Sequence, residues 1–388
     1  MKFIDFFAGI GGFRRGMELA GHECVGFCEL DKFATASYIS MHLLTEDQRK
    51  ALEDIPIKKR QKEILKEEYR NGEWYANDIR RVYAGDIPKA DCWCFGFPCQ
   101  DISIAGKQAG FQGNRSSLFF RVMYLVGQLK EEDKPTYLFI ENVKNLLSVN
   151  AGWDFARLLI EMEQEGYDAE WQVLNSKDFG VPQNRERCFI IGHLRGRSTT
   201  KIFPIEGTDG KNSVSLKLFG CINGRNSQRE RVYDSGGLSP TISTVPGGNT
   251  EPKIAIPVLT PDRAEKRQNG RRFKDDGEPM FTLTGQDRHG VAIKVKEKTL
   301  DTSCNQGIFV QVSEELVVYA VWYEKYQCYI AIRKLTPKEC FRLQGWSDDY
   351  FEKAQFVNSD SQLYKQAGNG VTVTVIEAIA RKMNVNLN

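Results

Sequence analysis

The chain has almost no net charge. Its 53 lysines and arginines stand against 51 aspartates and glutamates, leaving +2 over 388 residues. Such a balance says nothing for or against a polyanionic partner, so any nucleic-acid contact must come from local clusters. No apolar run approaches the ~20 residues of a membrane-spanning helix. The start, MKFIDFFAGIGG, lacks a signal-peptide pattern, because Asp5 interrupts the apolar stretch and glycines follow. A cytosolic location is the expectation. Ten cysteines in so long a chain make no disulfide scaffold. Cys24 and Cys28, and Cys92 and Cys94, are not CxxC pairs, so structural zinc is not expected.

What is present suits a globular protein of about two domains, with 41% hydrophobic and 27% charged residues. FIDFFAGIGGFRRGMELAG reads as strand, glycine turn and helix, and ECVGFCELD as a second strand ending in acids. Strand, helix, strand in that order predicts a parallel sheet. Residues 45–81 are highly charged, helix-forming and broken at Pro56, and read as a surface excursion. AGDIPKADCWCFGFP returns to the sheet, with Asp86 expected to end the third strand. SSLFFRVMYLVGQL and WDFARLLIEMEQEGY read as helices, TYLFIENV as a strand, and DAEWQVLNSKDFGVPQNRERCFIIGHL as two strands around a turn. Residues 196–332 are rich in Gly, Ser, Thr, Asn and Pro with short β-type runs. Within them, SGGLSPTISTVPGGN echoes DGEPMFTLTGQDRHG. LTPKECFRLQGW and YKQAGNGVTVTVIEAIARKM return to regular structure, the latter a glycine turn leading into an apolar helix.

Four places carry chemistry. FAGIGG after a strand offers backbone N–H groups and close approach to the main chain. The dinucleotide pattern G-x-G-x-x-G fails, because Arg14 occupies the place of its third glycine. Glu29, ending the next strand, stands where an acid holds ribose hydroxyls. Asp86 would accept from an exocyclic amine, or is a solvated turn acid. In GFPCQDISIAGKQAGF, Pro98 stops any helix and Cys99 precedes a polar loop with three glycines. The cysteine is either a small buried hydrophobe or a nucleophile awaiting activation. Glu141, after an apolar strand, would be a desolvated general acid or the partner of an arginine. Arg185 and Arg187 supply that arginine and share a face by alternation.

Together these pieces resemble the C5-cytosine DNA methyltransferase family. Its motifs occur in order: FAGIGG, Glu29, GDI at 85–87, GFPCQ at 96–100, ENV at 141–143, QNRER at 183–187, RKLTPKECFRLQGW at 333–346 and AGNGV at 367–371. The resemblance implies an α/β methyltransferase fold with a mostly parallel, doubly wound sheet. It implies a catalytic domain over 1–195, a smaller irregular, β-rich target-recognition domain over 196–332, and a segment over 333–388 returning to the first. S-adenosylmethionine would lie against Phe7, Gly9, Ile10, Gly11, Glu29, Asp86, Ile87, Pro98, Leu118, Asn369 and Val371. Cys99 would attack C6 of a flipped-out cytosine, Glu141 would engage N3 and the exocyclic amine, Arg187 would bind O2, and Arg185 would steady the loop after Cys99. The partner would be double-stranded DNA, the enzyme a monomer without metal in bacterial cytosol or nucleoid. A cognate restriction endonuclease, a phage origin and the target sequence stay open.

Two departures stand out. The 45–81 stretch lengthens the Glu29-to-Asp86 spacing beyond that of compact family members, and Ala105 replaces a serine found in some. The basic cluster DRAEKRQNGRRFK at 262–274 suits phosphate contacts or a solvated face. The two threonine-bearing echoes suit readout of base edges. Three other readings are an RNA cytosine methyltransferase, a silent DNA-binding relative and a nicotinamide oxidoreductase. The long recognition region disfavours the first, Cys99 with Glu141 the second, and the failed third glycine the last.

Overall fold

The computed structural model describes residues 1–97, 118–181, 183, 185–207 and 336–383, together with the backbone of the strands between 218 and 334. They form two compact units, residues 1–181, 186–207 and 341–388 in one and 182–185 and 208–340 in the other. Among the described residues no helix is long and apolar enough to cross a membrane.

The first unit is built on seven strands: β1 (Lys2–Phe6), β2 (Glu23–Cys28), β3 (Trp74–Ala76), β4 (Cys92–Gly96), β5 (Tyr137–Val143), β6 (Tyr167–Asn175) and β7 (Glu186–Leu194). Their order is β3-β2-β1-β4-β5-β7-β6. β1 to β5 run parallel, and β7 is antiparallel to both β5 and β6. Central parallel strands are covered on both faces, which is why they read as unbroken apolar runs. Ile4, Phe6, Trp93, Phe95, Leu138 and Ile140 face one layer, with side chains from α5 (Leu118–Gly127) and α6 (Trp153–Gln164). Phe3, Cys92, Cys94, Tyr137 and Phe139 face the other, with α1 (Gly12–Leu19) and α10 (Val373–Met383). Each large apolar side chain so buried contributes about 1.5–3 kcal/mol. The sheet is therefore doubly wound.

Gly16 lets α1 and α10 touch. A Cβ there would lie 2.5 Å from Cβ of Ile376. The returning segment thus covers the first glycine turn, after passing through α7 (Pro337–Leu343), α8 (Asp348–Gln355) and α9 (Asp360–Asn369).

The charged stretch is more than a surface excursion. After α2 (Lys32–His42) it forms α3 (Glu46–Glu53) and α4 (Ile57–Glu63), separated at Pro56 as expected, and then supplies the edge strand β3. Leu52, Ile64 and Ile79 are buried. Gly26 of β2 makes room for Trp74, since a Cβ there would lie 2.8 Å from its ring. The Glu73 carboxylate accepts two hydrogen bonds from Arg14, at 2.7 and 2.9 Å. Arg14, where a dinucleotide pattern needs glycine, is thus a buried anchor for this stretch.

Residues 196–207 stay with the first unit, beyond the boundary that composition suggested at 195. Ile202, Phe203 and Ile205 are buried in its second layer. The other unit holds β8 (Leu218–Cys221), β9 (Arg231–Asp234), β10 (Lys253–Leu259), β11 (His289–Val295), β12 (Ile308–Ser313), β13 (Leu316–Tyr323) and β14 (Cys328–Lys334). Their order is β12-β13-β14-β11-β10-β9-β8, antiparallel except between β9 and β10. The basic cluster at 262–274 and the two echoes, up to β11, lie outside the described residues.

Candidate active site

The chain leaves β1 for β2 on one side and resumes as β4 on the other. Such a reversal opens a crevice at the strands' carboxyl ends, where open α/β sheets bind ligands. The residues expected to hold the cofactor gather first at the end of β1. Phe7 has φ 55°, Gly9 φ 56° and Gly11 φ 84°, so the chain makes a left-handed turn into α1. Glu29 reaches across from the end of β2. Its Oε2 accepts from the Gly9 amide and its Oε1 from the Asp31 amide, both at 2.7 Å. Burial raises the Glu29 pKa, against the lowering effect of those two amides. Each oxygen keeps a lone pair, enough for two vicinal hydroxyls.

The glycines divide by role. At Gly9 a Cβ would meet nothing within 4 Å. At Gly11 it would fall 2.4 Å from Nε2 of His42, and at Gly12 2.6 Å from Val371. The amides of Gly9 and Gly11 are already given to Glu29 and to the Ala8 carbonyl. The turn therefore presents bare surface at Gly9 rather than a row of donors, and its later glycines serve packing. His42 Nε2 donates to the Ile10 carbonyl at 3.0 Å. Burial holds His42 well below the usual imidazole pKa, so it stays neutral as a strut for the turn. Nothing in the sequence pattern singled it out. Asp5, fully buried in β1, accepts from the Arg14 amide at 3.3 Å, and burial pushes its carboxyl well up.

Asp86 does not end a strand. Gly85 and Asp86 lie in a 3-10 turn over Ala84–Asp86, with Ile87 extended just after it, because Trp74–Ala76 has already taken the place beside β2. Asp86 is exposed and Ile87 buried. Arg121 of α5 steadies the approach to this turn by donating to the carbonyls of Ile79 and Val82. Leu118 opens α5, half-buried. Asn369 ends α9 exposed, and Val371 packs on Gly12.

The second cluster sits at the ends of β4 and β5. Glu141 pairs in register with Gly96 on one side and Phe189 on the other. A Cβ on Gly96 would approach Glu141 Oε2 to 3.1 Å, so the glycine of GFPC leaves space for this carboxylate. Arg187 Nε meets Glu141 Oε1 at 3.0 Å, with both side chains largely buried. The structure brings these two together, as the arginine-partner reading had it. Arg185, just before β7, is 3% exposed. Asn142 donates to the Phe97 carbonyl at 2.7 Å, fixing the last described residue before Pro98. Pro98, Cys99, Ala105 and the glycine-dotted loop lie outside the described residues. Cys99 nonetheless follows the end of β4 by three residues.

A family model described as C-5 cytosine-specific DNA methylase matches residues 1–66 and 54–385. The chain is 31% identical over 388 residues to the type II methyltransferase M.HhaI of Haemophilus parahaemolyticus, covering 100% of this chain and 95% of that one. It is 30% identical over 489 residues to the orphan methyltransferase M.SPRI of Bacillus phage SPR, covering 99% and 97%. Among solved structures, the S. pombe Dnmt2 methyltransferase matches with a TM-score of 0.57 at 14% identity, over 98% of this chain and 97% of that one, a likeness of fold.

Proposed function

Since this chain belongs to the C-5 cytosine-specific DNA methylase family, and is thereby a DNA cytosine-5 methyltransferase, we propose that its methyl donor is S-adenosylmethionine and that it works through a covalent adduct of Cys99. The observation that carries this reading is the placement of two carboxylates withdrawn from bulk water, Glu29 half-buried just beyond β2 and Glu141 buried near the end of β5, flanking the reversal between β1 and β4.

The donor-side residues fit the group proposed for them. Glu29 is held ready for the ribose hydroxyls, Gly9 is bare, and Phe7, Ile87 and Leu118 offer apolar contact, with Asp86 exposed for the adenine amine. When bound, S-adenosylmethionine supplies an electrophilic methyl group on a sulfonium. On the acceptor side, the Cys99 thiolate adds to C6 of cytosine while Glu141 gives a proton to N3 and takes up the exocyclic amine. The electron pair of the 5,6 double bond would then make C5 nucleophilic enough to take the methyl group, with S-adenosylhomocysteine leaving with the former C–S bonding pair. A water molecule would then remove the C5 proton, N3 would return its proton to Glu141, and departure of the Cys99 thiolate from C6 would restore the double bond. Splitting one hard displacement into two easier steps is the gain from a covalent nucleophile. Arg187 fixes the Glu141 carboxylate and has further donors for O2 of the base. A base within a duplex is out of reach of this geometry, so the cytosine has to be flipped out. The enzyme is read as a monomer on double-stranded DNA, with residues 208–332 selecting the site, alone or beside a restriction endonuclease of the same target.

Expression in a bacterial host without cytosine methylation, followed by bisulfite sequencing, tests the reading. Protected cytosines in one recurring context, lost in Cys99→Ala, are expected. Protection that survives Cys99→Ala overturns the covalent mechanism.

A further inference from the structure

The charged stretch has no part in the chemistry above, yet it reaches the segment that completes the donor side. From α4, Arg60 Nη1 donates to the Phe356 carbonyl at 2.7 Å, and its guanidinium lies 3.8 Å from the centre of the Phe356 ring. Arg60 Nε also donates to the Leu52 carbonyl at 2.8 Å, so the side chain is fixed from its own side. Arg49 of α3 holds a second guanidinium over the same ring, at 5.3 Å. Gln61 donates to the Val357 carbonyl at 3.1 Å and to Oδ1 of Asn358 at 2.6 Å. Residues 356–358 link α8 to α9, and α9 ends in Asn369, just before Val371 settles on Gly12.

Asn358 passes the contact on. Its Nδ2 donates to the Phe33 carbonyl and to Ser37 Oγ, both at 2.8 Å. Ser37 Oγ in turn donates to Gln366 Oε1 at 2.9 Å, and Lys365 pairs with Asp31 at 2.8 Å. Asp31 is the residue whose amide holds Glu29. One network therefore joins α4, the start of α2 beside Glu29, and α9 leading to Asn369. Val357, Ile64 and Ile39 pack as one apolar cluster beneath it.

We infer that Arg60 and Gln61 are positioning residues for donor binding: the charged stretch is an internal clasp that holds the α8–α9 link, and through it the returning segment, against the glycine turn. A clasp of this kind changes the fraction of enzyme whose donor site is assembled. It therefore acts on apparent donor affinity more than on turnover at saturation. The inference rests on the donor reading above.

The test compares full-length wild type with Arg60→Ala, Gln61→Ala, the double variant and the control Lys62→Ala, an exposed lysine on the same helix. Calorimetric binding of S-adenosylhomocysteine to the DNA-free enzyme is expected to weaken about tenfold in the double variant. Turnover at saturating donor should stay within about twofold. Amide hydrogen exchange over residues 360–372 should speed up, as expected for a locally loosened element. Lys62→Ala should match wild type in all three. A fall in melting temperature with unchanged donor affinity and unchanged exchange over 360–372 overturns the inference and leaves the stretch a structural prop. If the double variant does not fold, Gln61→Ala decides, with a rise in donor dissociation constant of about threefold expected. Failure of wild type itself to bind S-adenosylhomocysteine counts against the donor reading instead, and the exchange comparison then judges the clasp alone.

Discussion

Glu29 and Glu141 are alike in the sequence and unlike in the structure. Glu29 follows one apolar strand and Glu141 lies near the end of another in the same sheet, and each carboxylate is largely withdrawn from water. Glu29 is held by two main-chain amides, Glu141 by a guanidinium. Amides fix a carboxylate in place without cancelling its charge, which suits a group that only has to accept hydroxyls. The Arg187 cation offsets the charge of Glu141 and can itself contact what Glu141 contacts. In the reading proposed above, surroundings, more than residue type, divide the binding task from the reacting task.

The comparison can be broken at several points. The largest effect is expected from Glu141→Gln, which keeps the shape and loses the proton. Single-turnover methyl transfer should fall by about 10²–10⁴-fold, while calorimetric donor affinity stays as it was. Arg187→Ala removes the guanidinium paired with a largely buried carboxylate, and urea denaturation should register a loss of about 3–5 kcal/mol. Adding Glu141→Gln to that variant should recover part of the loss, and failure to recover any would mean that the pair is not the source. Glu29→Gln reverses the pattern, with donor affinity down about tenfold and a smaller change in turnover. Acidification should show the same difference more gently. Burial raises the folded-state pKa of Glu29, so its protonation stabilises the free protein at low pH and that gain disappears as pH rises through the raised value. Donor hydroxyls need the ionised form. Donor affinity should therefore fall on acidification at a higher pH than an ordinary carboxylate would set, and Glu29→Gln should flatten that dependence. The smallest effect separates the glycines. Gly9→Ala should cost about 1 kcal/mol in thermal stability, from its positive φ alone. Gly12→Ala, pressed on Val371, should cost more.

Much of the site was legible because its residues sit at strand ends, where polar groups interrupt apolar runs. Glu29, Glu141 and Arg187 are of this kind. The central strands were legible for the same reason. Asp86 was misplaced because strand ends and 3-10 turns both tolerate Gly-Asp before an apolar residue, and only the pairing of Trp74–Ala76 with β2 shows which holds. The charged stretch hid its role because Arg14, Arg60 and Glu73 look like any solvated charges until their partners, up to about 300 positions away, are seen. His42 was invisible because its partner is a main-chain carbonyl.

The packing of α10 on α1 also sets an order of events during synthesis. Chains grow from the amino end, and a nascent chain begins to fold before it is complete. The strand, turn and Glu29 emerge early, but Val371 and Ile376 reach Gly12 and Gly16 only once synthesis has passed residue 376. A ribosome product cut short before that point carries the first glycine turn without the side chains that pack on it. Assembly of this layer of the core therefore waits for α10.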